Sequence, residues 1–209
     1  SPPAGSFEAI ASGRDFSCGV RKGGLVACWG TNDAGQATAL TGNFSTLSAG
    51  DEHVCGVRPN REMDCWGHNV FGQATPATGI SNGVSVGGEH TCERRSDDQV
   101  ACWGFNGSGQ STPPAGIPFR SLDAGFGHTC AVITHSDSFV YCWGSDSSGE
   151  TVVPPGAFKS VTAGFAHSCG IRVGDGGVLY TEDTITCWGD DGYGQSTLPV
   201  EDEGALFKA

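Results

Sequence analysis

The tripeptide Cys-Trp-Gly begins at Cys28, Cys65, Cys102, Cys142 and Cys187, and each copy follows a partner cysteine at Cys18, Cys55, Cys92, Cys130 and Cys169. The leading cysteines recur every 37 to 39 residues. Self-similarity at such a period is the signature of a solenoid or a propeller, in which each repeat is one supersecondary unit that buries its faces only against its neighbours. All ten cysteines belong to this scheme, two per repeat.

A template runs around them. It reads roughly Phe-x-x-Ile/Leu/Val-x-Ala-Gly-x-x-His-x-Cys-Gly-Val, a variable link, then Val-x-Cys-Trp-Gly-x-Asn-x-x-Gly-Gln-x-Thr-x-Pro-x-Gly. Phe7, Phe44, Phe119 and Phe158 start four segments, and Ser81 stands in the third; Ile10, Leu47, Val84, Leu122 and Val161 follow three residues on. Short runs alternating apolar and small residues favour strands, and no stretch carries a helical period. The class is therefore all-β. In the first repeat a strand is expected over Phe7–Ser12, a second through Cys18, a turn at Lys22-Gly23-Gly24, a third through Cys28-Trp29, and a short weak strand near Ala37–Leu40. Repeat boundaries fall at about 6–42, 43–79, 80–116, 117–156 and 157–200, and 201–209 reads as a tail or the start of a sixth repeat. The whole of 1–209 is expected to be one propeller domain.

The cysteines admit three readings. Zinc sites usually show Cys-x2–4-Cys or comparable Cys/His spacing, and a thioredoxin-like redox centre shows Cys-x-x-Cys. Here nine residues separate the pair in the first three repeats, eleven in the fourth and seventeen in the fifth. A variable link between fixed flanking strands suits a cross-strand disulfide, since only the strand positions must face each other. The pairs are then Cys18–Cys28, Cys55–Cys65, Cys92–Cys102, Cys130–Cys142 and Cys169–Cys187, which places the chain in an oxidising, extracytoplasmic compartment, secreted or at the cell surface.

Three or four short antiparallel strands per repeat match the blade of a β-propeller. The Ala-Gly-x-x-His and Trp-Gly-x-Asn-x-x-Gly-Gln motifs resemble those of the RCC1-type propeller superfamily along nearly the whole chain. Paired cysteines before Cys-Trp-Gly make it similar to the extracellular branch, the CRINKLY4-like receptor-kinase ectodomains and secreted bacterial repeats. The resemblance implies protein–protein recognition; those families usually have seven blades, so five is a departure.

Four histidines, His53, His90, His128 and His167, share one template position, with Phe16 in the first repeat. A metal ring is one reading; the other is that each ring bonds local backbone where the Gly-rich loop turns, and the Phe in repeat one favours it. No metal or other cofactor is expected. Trp29, Trp66, Trp103, Trp143 and Trp188 are expected between neighbouring blades with the indole N–H bonded. Asn32, Asn69, Asn106, Asp146 and Asp191 suit left-handed turn positions, with Gly35, Gly72, Gly109, Gly149 and Gly194 in the same turns. Gln36, Gln73, Gln110 and Gln195, with Glu150 as the exception, are expected to tie that loop.

Repeated letters explain a fold, so function is sought where repeats differ. Up-and-down strands bring the Gly-x-x-His and Trp-Gly-x-Asn loops to one face. There the irregular residues are Arg14 and Asp15 together with Asp51, Glu52, His68, Phe71, Glu89, Phe105, Phe126, Phe165, Asp190 and Tyr193. Acidic and aromatic groups together suit an extracellular protein partner with a basic surface, or a glycan. The opposite face differs in the long fifth hairpin, Gly170–Thr186. Asn43-Phe-Ser and Asn106-Gly-Ser fit the glycosylation sequon.

Net charge of −12 and the lack of a basic cluster argue against nucleic acid, which needs cationic side chains on its phosphates, and against an anionic membrane surface. No apolar run is long enough to span a bilayer. Nucleophile elbows, phosphate-binding glycine loops and His-Glu-x-x-His are missing, so an enzyme is not expected. The chain opens at Ser1-Pro2-Pro3 without a Met, as a mature or excised segment would. The stretch Gly204–Ala209 looks like a spare first strand, and its docking on a neighbouring molecule is a route to self-association.

Overall fold

The computed structural model describes residues 2–134, 138–173 and 184–198. They form fifteen strands in five three-stranded antiparallel sheets and contain no helix. The chain is an all-β propeller whose blades each carry one disulfide. Blade one comprises β1 (Phe7–Ser12), β2 (Phe16–Arg21) and β3 (Val26–Gly30); blade two comprises β4 (Thr46–Ala49), β5 (His53–Val57) and β6 (Met63–Gly67). Blade three is β7 (Ser81–Val86), β8 (His90–Arg95) and β9 (Val100–Gly104). Blades four and five are β10 (Phe119–Ala124), β11 (His128–Ile133) and β12 (Val140–Gly144), then β13 (Phe158–Ala163), β14 (His167–Arg172) and β15 (Ile185–Gly189).

Within each blade the strands pair in chain order, and the two cysteines sit directly opposite in the register. The bridges are Cys18–Cys28, Cys55–Cys65, Cys92–Cys102, Cys130–Cys142 and Cys169–Cys187, with Cα atoms 4.0–4.1 Å apart. Link length is free because the bridged positions lie on the paired strands below it. The expected strand at Ala37–Leu40 does not form. Asn32 Oδ1 accepts the Ala37 amide at 2.8 Å and the Thr38 hydroxyl at 3.2 Å, so a side chain occupies a donor that a ladder would have used.

Neighbouring residues on a strand face opposite sides, and each blade uses both sides to grip its neighbours. Register partners Thr91 and Trp103 look back toward blade two, while His90 and Cys92 look forward toward blade four. The indoles of Trp66, Trp103, Trp143 and Trp188 donate to the carbonyls of Gln36, Gln73, Gln110 and Glu150 on the preceding blade, all at 2.9–3.0 Å. Each tryptophan also packs on the phenylalanine that opens its own blade where one is present, as in Phe44–Trp66 and Phe158–Trp188. The core is thus a series of small interblade clusters, not one large interior.

The histidines build the same junctions, and the local backbone contacts expected of them are not what forms. His53 Nε2 meets Thr91 Oγ1 at 2.8 Å, His90 meets Thr129 at 2.7 Å, and His128 meets Ser168 at 2.8 Å, each pair crossing from one blade to the next. The Thr91 hydroxyl donates to Gln73 O, so it accepts from His53, which fixes the Nε2–H tautomer. Where Phe16 replaces histidine, the facing residue is Val54 and both lie in one apolar cluster. Burial, first of all, pushes His53 down to about 3 and His90 down to about 4. Their Nδ1 atoms are buried without a partner, so a second proton would have no acceptor.

Candidate functional site

Both loop sets emerge on one face. The amides of Thr31, His68, Phe105, Ser145 and Asp190, in the loops after the third strands, donate to Asp15, Glu52, Glu89, Gly127 and Ala166, in the loops after the first strands. The central opening at this face has a volume of about 300 Å³ and is walled by Ser12-Gly13, Ala49-Gly50, Val86-Gly87, Ala124-Gly125 and Ala163-Gly164. Those walls are backbone and small side chains. Gly50, Gly87 and Gly125 lie so close to the next blade's carbonyl that a Cβ would fall within 1.9–2.5 Å of it. Chemistry can come only from what stands on the rim.

The rim is divided. The two variable positions before the histidine read Arg14-Asp15, Asp51-Glu52, Gly88-Glu89, Phe126-Gly127 and Phe165-Ala166 around the five blades. Blades one to three therefore contribute carboxylates and one guanidinium, and blades four and five contribute rings. Phe126 and Phe165 stack with centroids 4.3 Å apart, although they are 39% and 69% exposed. The Phe126 backbone is fixed by bonds to Gly88 and Gly164 on both sides. Burial raises the Asp51 carboxyl above its ordinary value, Arg14 opposes this, and Glu52 and Asp15 add to it.

A second aromatic pair stands outside the first. Phe71, from the loop after β6, meets Phe105, after β9, with centroids 5.0 Å apart. The Phe105 amide is bonded to Glu89 O and the Gly88 amide to Phe126 O, so the two pairs join through Gly88-Glu89 into one arc over blades two to five. Val70, beside Phe71, is 75% exposed, and Tyr193, at the Phe71 position of blade five, is 98% exposed.

Not every irregular residue is free to bind. His68 Nδ1 accepts from Gln73 Nε2 at 2.8 Å, and Asp190 holds the Gln195 amide, so both brace the loop below them. Ser145 does the same for Glu150, which explains how a glutamate serves in the glutamine series. Gln36, Gln73, Gln110 and Gln195 each accept a backbone amide of their own loop, as expected. The Asn/Asp series is not left-handed. Among the described residues only Arg61, Asp98 and Ser138 have positive φ without being glycine. Asn32, Asn69, Asn106, Asp146 and Asp191 instead accept amides five residues on, and the turn conformation falls on Gly35 and its counterparts, φ 77–85°. Asn106 also donates to Thr112 at 3.0 Å, so its amide is engaged, whereas Asn43 is exposed beside the Gly24 turn. No group of His, Cys, Asp or Glu among the described residues could hold a metal ion. Sequence reading missed how the rings pair, because Phe71 and Phe105, like Phe126 and Phe165, come from different repeats.

A family model for the regulator of chromosome condensation (RCC1) repeat matches residues 7–36 and 44–73. Blades one and two thus carry RCC1 repeats, and the chain as a whole is similar to RCC1-type propellers. The chain is similar to the ectodomain of the Physcomitrella patens receptor kinase CR4, with a TM-score of 0.77 and 28% identity, covering 95% of this chain and 56% of that one. The CRINKLY WD40 ectodomain of the Arabidopsis thaliana receptor kinase ACR4 gives 0.70 and 28%, covering 88% and 66%. Prp20p of Saccharomyces cerevisiae, at 16% identity and a TM-score of 0.67 over 84% of this chain and 58% of that one, shares the fold. The chain thus spans between about half and two thirds of these solved structures' lengths. Comparison with curated proteins gives no match. Five bridges without a free cysteine among the described residues, together with the ectodomain neighbours, point to an extracellular location.

Proposed function

We propose that the protein is an extracellular recognition module that binds a protein segment across its loop face without transforming it. One observation carries the reading: the aromatic arc Phe71–Phe105–Phe126–Phe165, with Phe71, Phe126 and Phe165 exposed, shares the loop face with Asp15, Asp51, Glu52 and Glu89. Exposed rings on a fixed backbone are the usual energetic centres of protein contacts, and an apolar patch rimmed by charge marks an interaction site. The divided rim suits a segment that sets a Lys or Arg against blades one to three and an apolar residue on Phe126 and Phe165. The ectodomain neighbours and the net charge of −12 agree with a basic extracellular partner.

Selection of a displayed random-peptide library on the immobilised protein, beside a glycan array, tests this. The expected result is enrichment of peptides pairing basic with apolar residues and loss of their capture by Phe126→Ala/Phe165→Ala. A silent peptide library beside glycan binding that free sugar competes away, and that Phe105→Ala or Tyr193→Ala abolishes, would replace the protein reading with a lectin one.

A further inference from the structure

The sequon Asn43-Phe44-Ser45 lies in the link between blades one and two, on the side of the hairpin tips and away from the aromatic arc. In the other blades the place of Asn43 is taken by Ser6, Ile80, Pro118 and Ala157, and that of Ser45 by Glu8, Asn82, Arg120 and Lys159. Neither residue is therefore required by the blade. The other sequon differs. Asn106 belongs to the Asn32 series, and its side chain donates to Thr112 at 3.0 Å and accepts the Ser111 amide at 2.9 Å. The fold itself accounts for that asparagine.

The backbone presents Asn43 and Ser45 together. Asn43 is exposed, Phe44 buried and Ser45 exposed, an alternation that turns the two polar side chains outward around a ring packed inward. Phe44 packs on Trp66 with centroids 5.8 Å apart, and the Arg58 guanidinium lies 4.4 Å from its ring centroid. Its amide donates to Gly24 O at 2.9 Å and the Ser45 amide to Val57 O at 2.7 Å, so the sequon is held from both sides. Gly24, with φ 93°, makes the space: a Cβ there would fall 2.8 Å from that of Asn43. On this fixed backbone neither the Asn43 amide nor the Ser45 hydroxyl bonds a described residue through its side chain. Leu25, paired with Asn43 through the backbone, is 57% exposed beside it.

We infer that Asn43 is the attachment site of an N-linked oligosaccharide. The co-reactant is a polyprenyl-diphosphate oligosaccharide, and the transferase is that of the secretory route an extracellular chain takes. Asn43 Nδ2 forms a bond to the anomeric carbon and gives up one proton. The bond from that carbon to the diphosphate oxygen breaks, and its electron pair leaves with the diphosphate. Attachment precedes folding, so the folded chain must hold the sugar without losing a bond. The exposed, unbonded Asn43 amide meets that condition, and the sugar covers Leu25 on a face the aromatic arc does not use.

Intact mass and peptide mapping after reduction, on the whole chain secreted from a eukaryotic cell line, test this. The expected result is a mass increase that peptide-N-glycosidase F removes, with aspartate left in place of Asn43. Asn43→Gln and Ser45→Ala each abolish the sugar on this peptide, whereas Ser45→Thr keeps it, since either hydroxyl completes the sequon. The urea midpoint of Asn43→Gln equals that of the deglycosylated wild type, because the side chain holds nothing in the fold. A bare Asn43 in both the wild type and Ser45→Thr overturns the inference, as does sugar confined to Asn106.

Discussion

Lowering the pH should weaken this propeller well before its carboxylates titrate. His53 and His90 are seated in interblade junctions, and burial holds them at about 3 and about 4 against 6.5 for the free group. Between those values the unfolded chain binds protons that the folded chain refuses, so stability rises with pH across the window. The contribution is fully present above the unfolded value and drains away as pH falls through it toward the folded one. At pH 4.5 each histidine has withdrawn about 2.7 kcal/mol, and the two together about 5 kcal/mol. That is a large part of the stability of a typical domain. His128 is lowered too, first by burial, and adds in the same direction. The assay is urea unfolding followed by tryptophan fluorescence at steps from about pH 7.5 to 4.5, since four of the five indoles sit in these junctions. Replacing both pairs by the blade-one solution, as His53→Phe/Thr91→Val with His90→Phe/Thr129→Val, should flatten most of the slope. Constant stability across the window, or an unchanged slope in that variant, would refute the reasoning.

Other outcomes follow from the same contacts. Without reductant, no thiol of the denatured protein should react with iodoacetamide, and Cys92→Ser/Cys102→Ser should lose about 3 kcal/mol in urea unfolding, as expected for a loop of this length. Trp103→Phe should cost roughly 1–2 kcal/mol, because it removes the indole bond to Gln73 O and part of a junction. Trp29→Phe, which removes no such bond among the described residues, should cost less than half of that in the same urea unfolding; equal losses would contradict the junction geometry. Glu150→Ala should destabilise the loop after β12 more than Glu89→Ala affects its own, since Glu150 holds Ser145 and the Ser148 amide while Glu89 stands on the rim.

What could be read from the sequence was what one blade decides by itself. The strands, the Cys18–Cys28 type bridges, the facing loops and the tryptophans recur with the repeat, and a cross-strand bridge needs only two register-opposed positions. The histidine partners were not legible, because Thr91 stands 38 residues from His53 and belongs to the next blade. The Asn32 series was misread for a related reason: an asparagine suits both a left-handed turn and an amide staple, and only the fold shows Gly35 taking the first role. The extra strand at Ala37–Leu40 failed because that staple consumes its first amide. Rim residues were found by their irregularity, but irregularity alone does not separate Phe126, which projects, from His68 and Asp190, which brace. The tail Gly204–Ala209 and most of the link within Gly170–Thr186 lie outside the described residues.

The account holds that repeated letters build the blades and their junctions and irregular ones on one face do the binding. Titration of a selected basic–apolar peptide into the wild type and into Phe126→Ala/Phe165→Ala, with urea unfolding of both, tests that division most directly. It predicts at least a tenfold loss of affinity with an unchanged unfolding midpoint. Retained affinity, or a loss that merely follows unfolding, would contradict it.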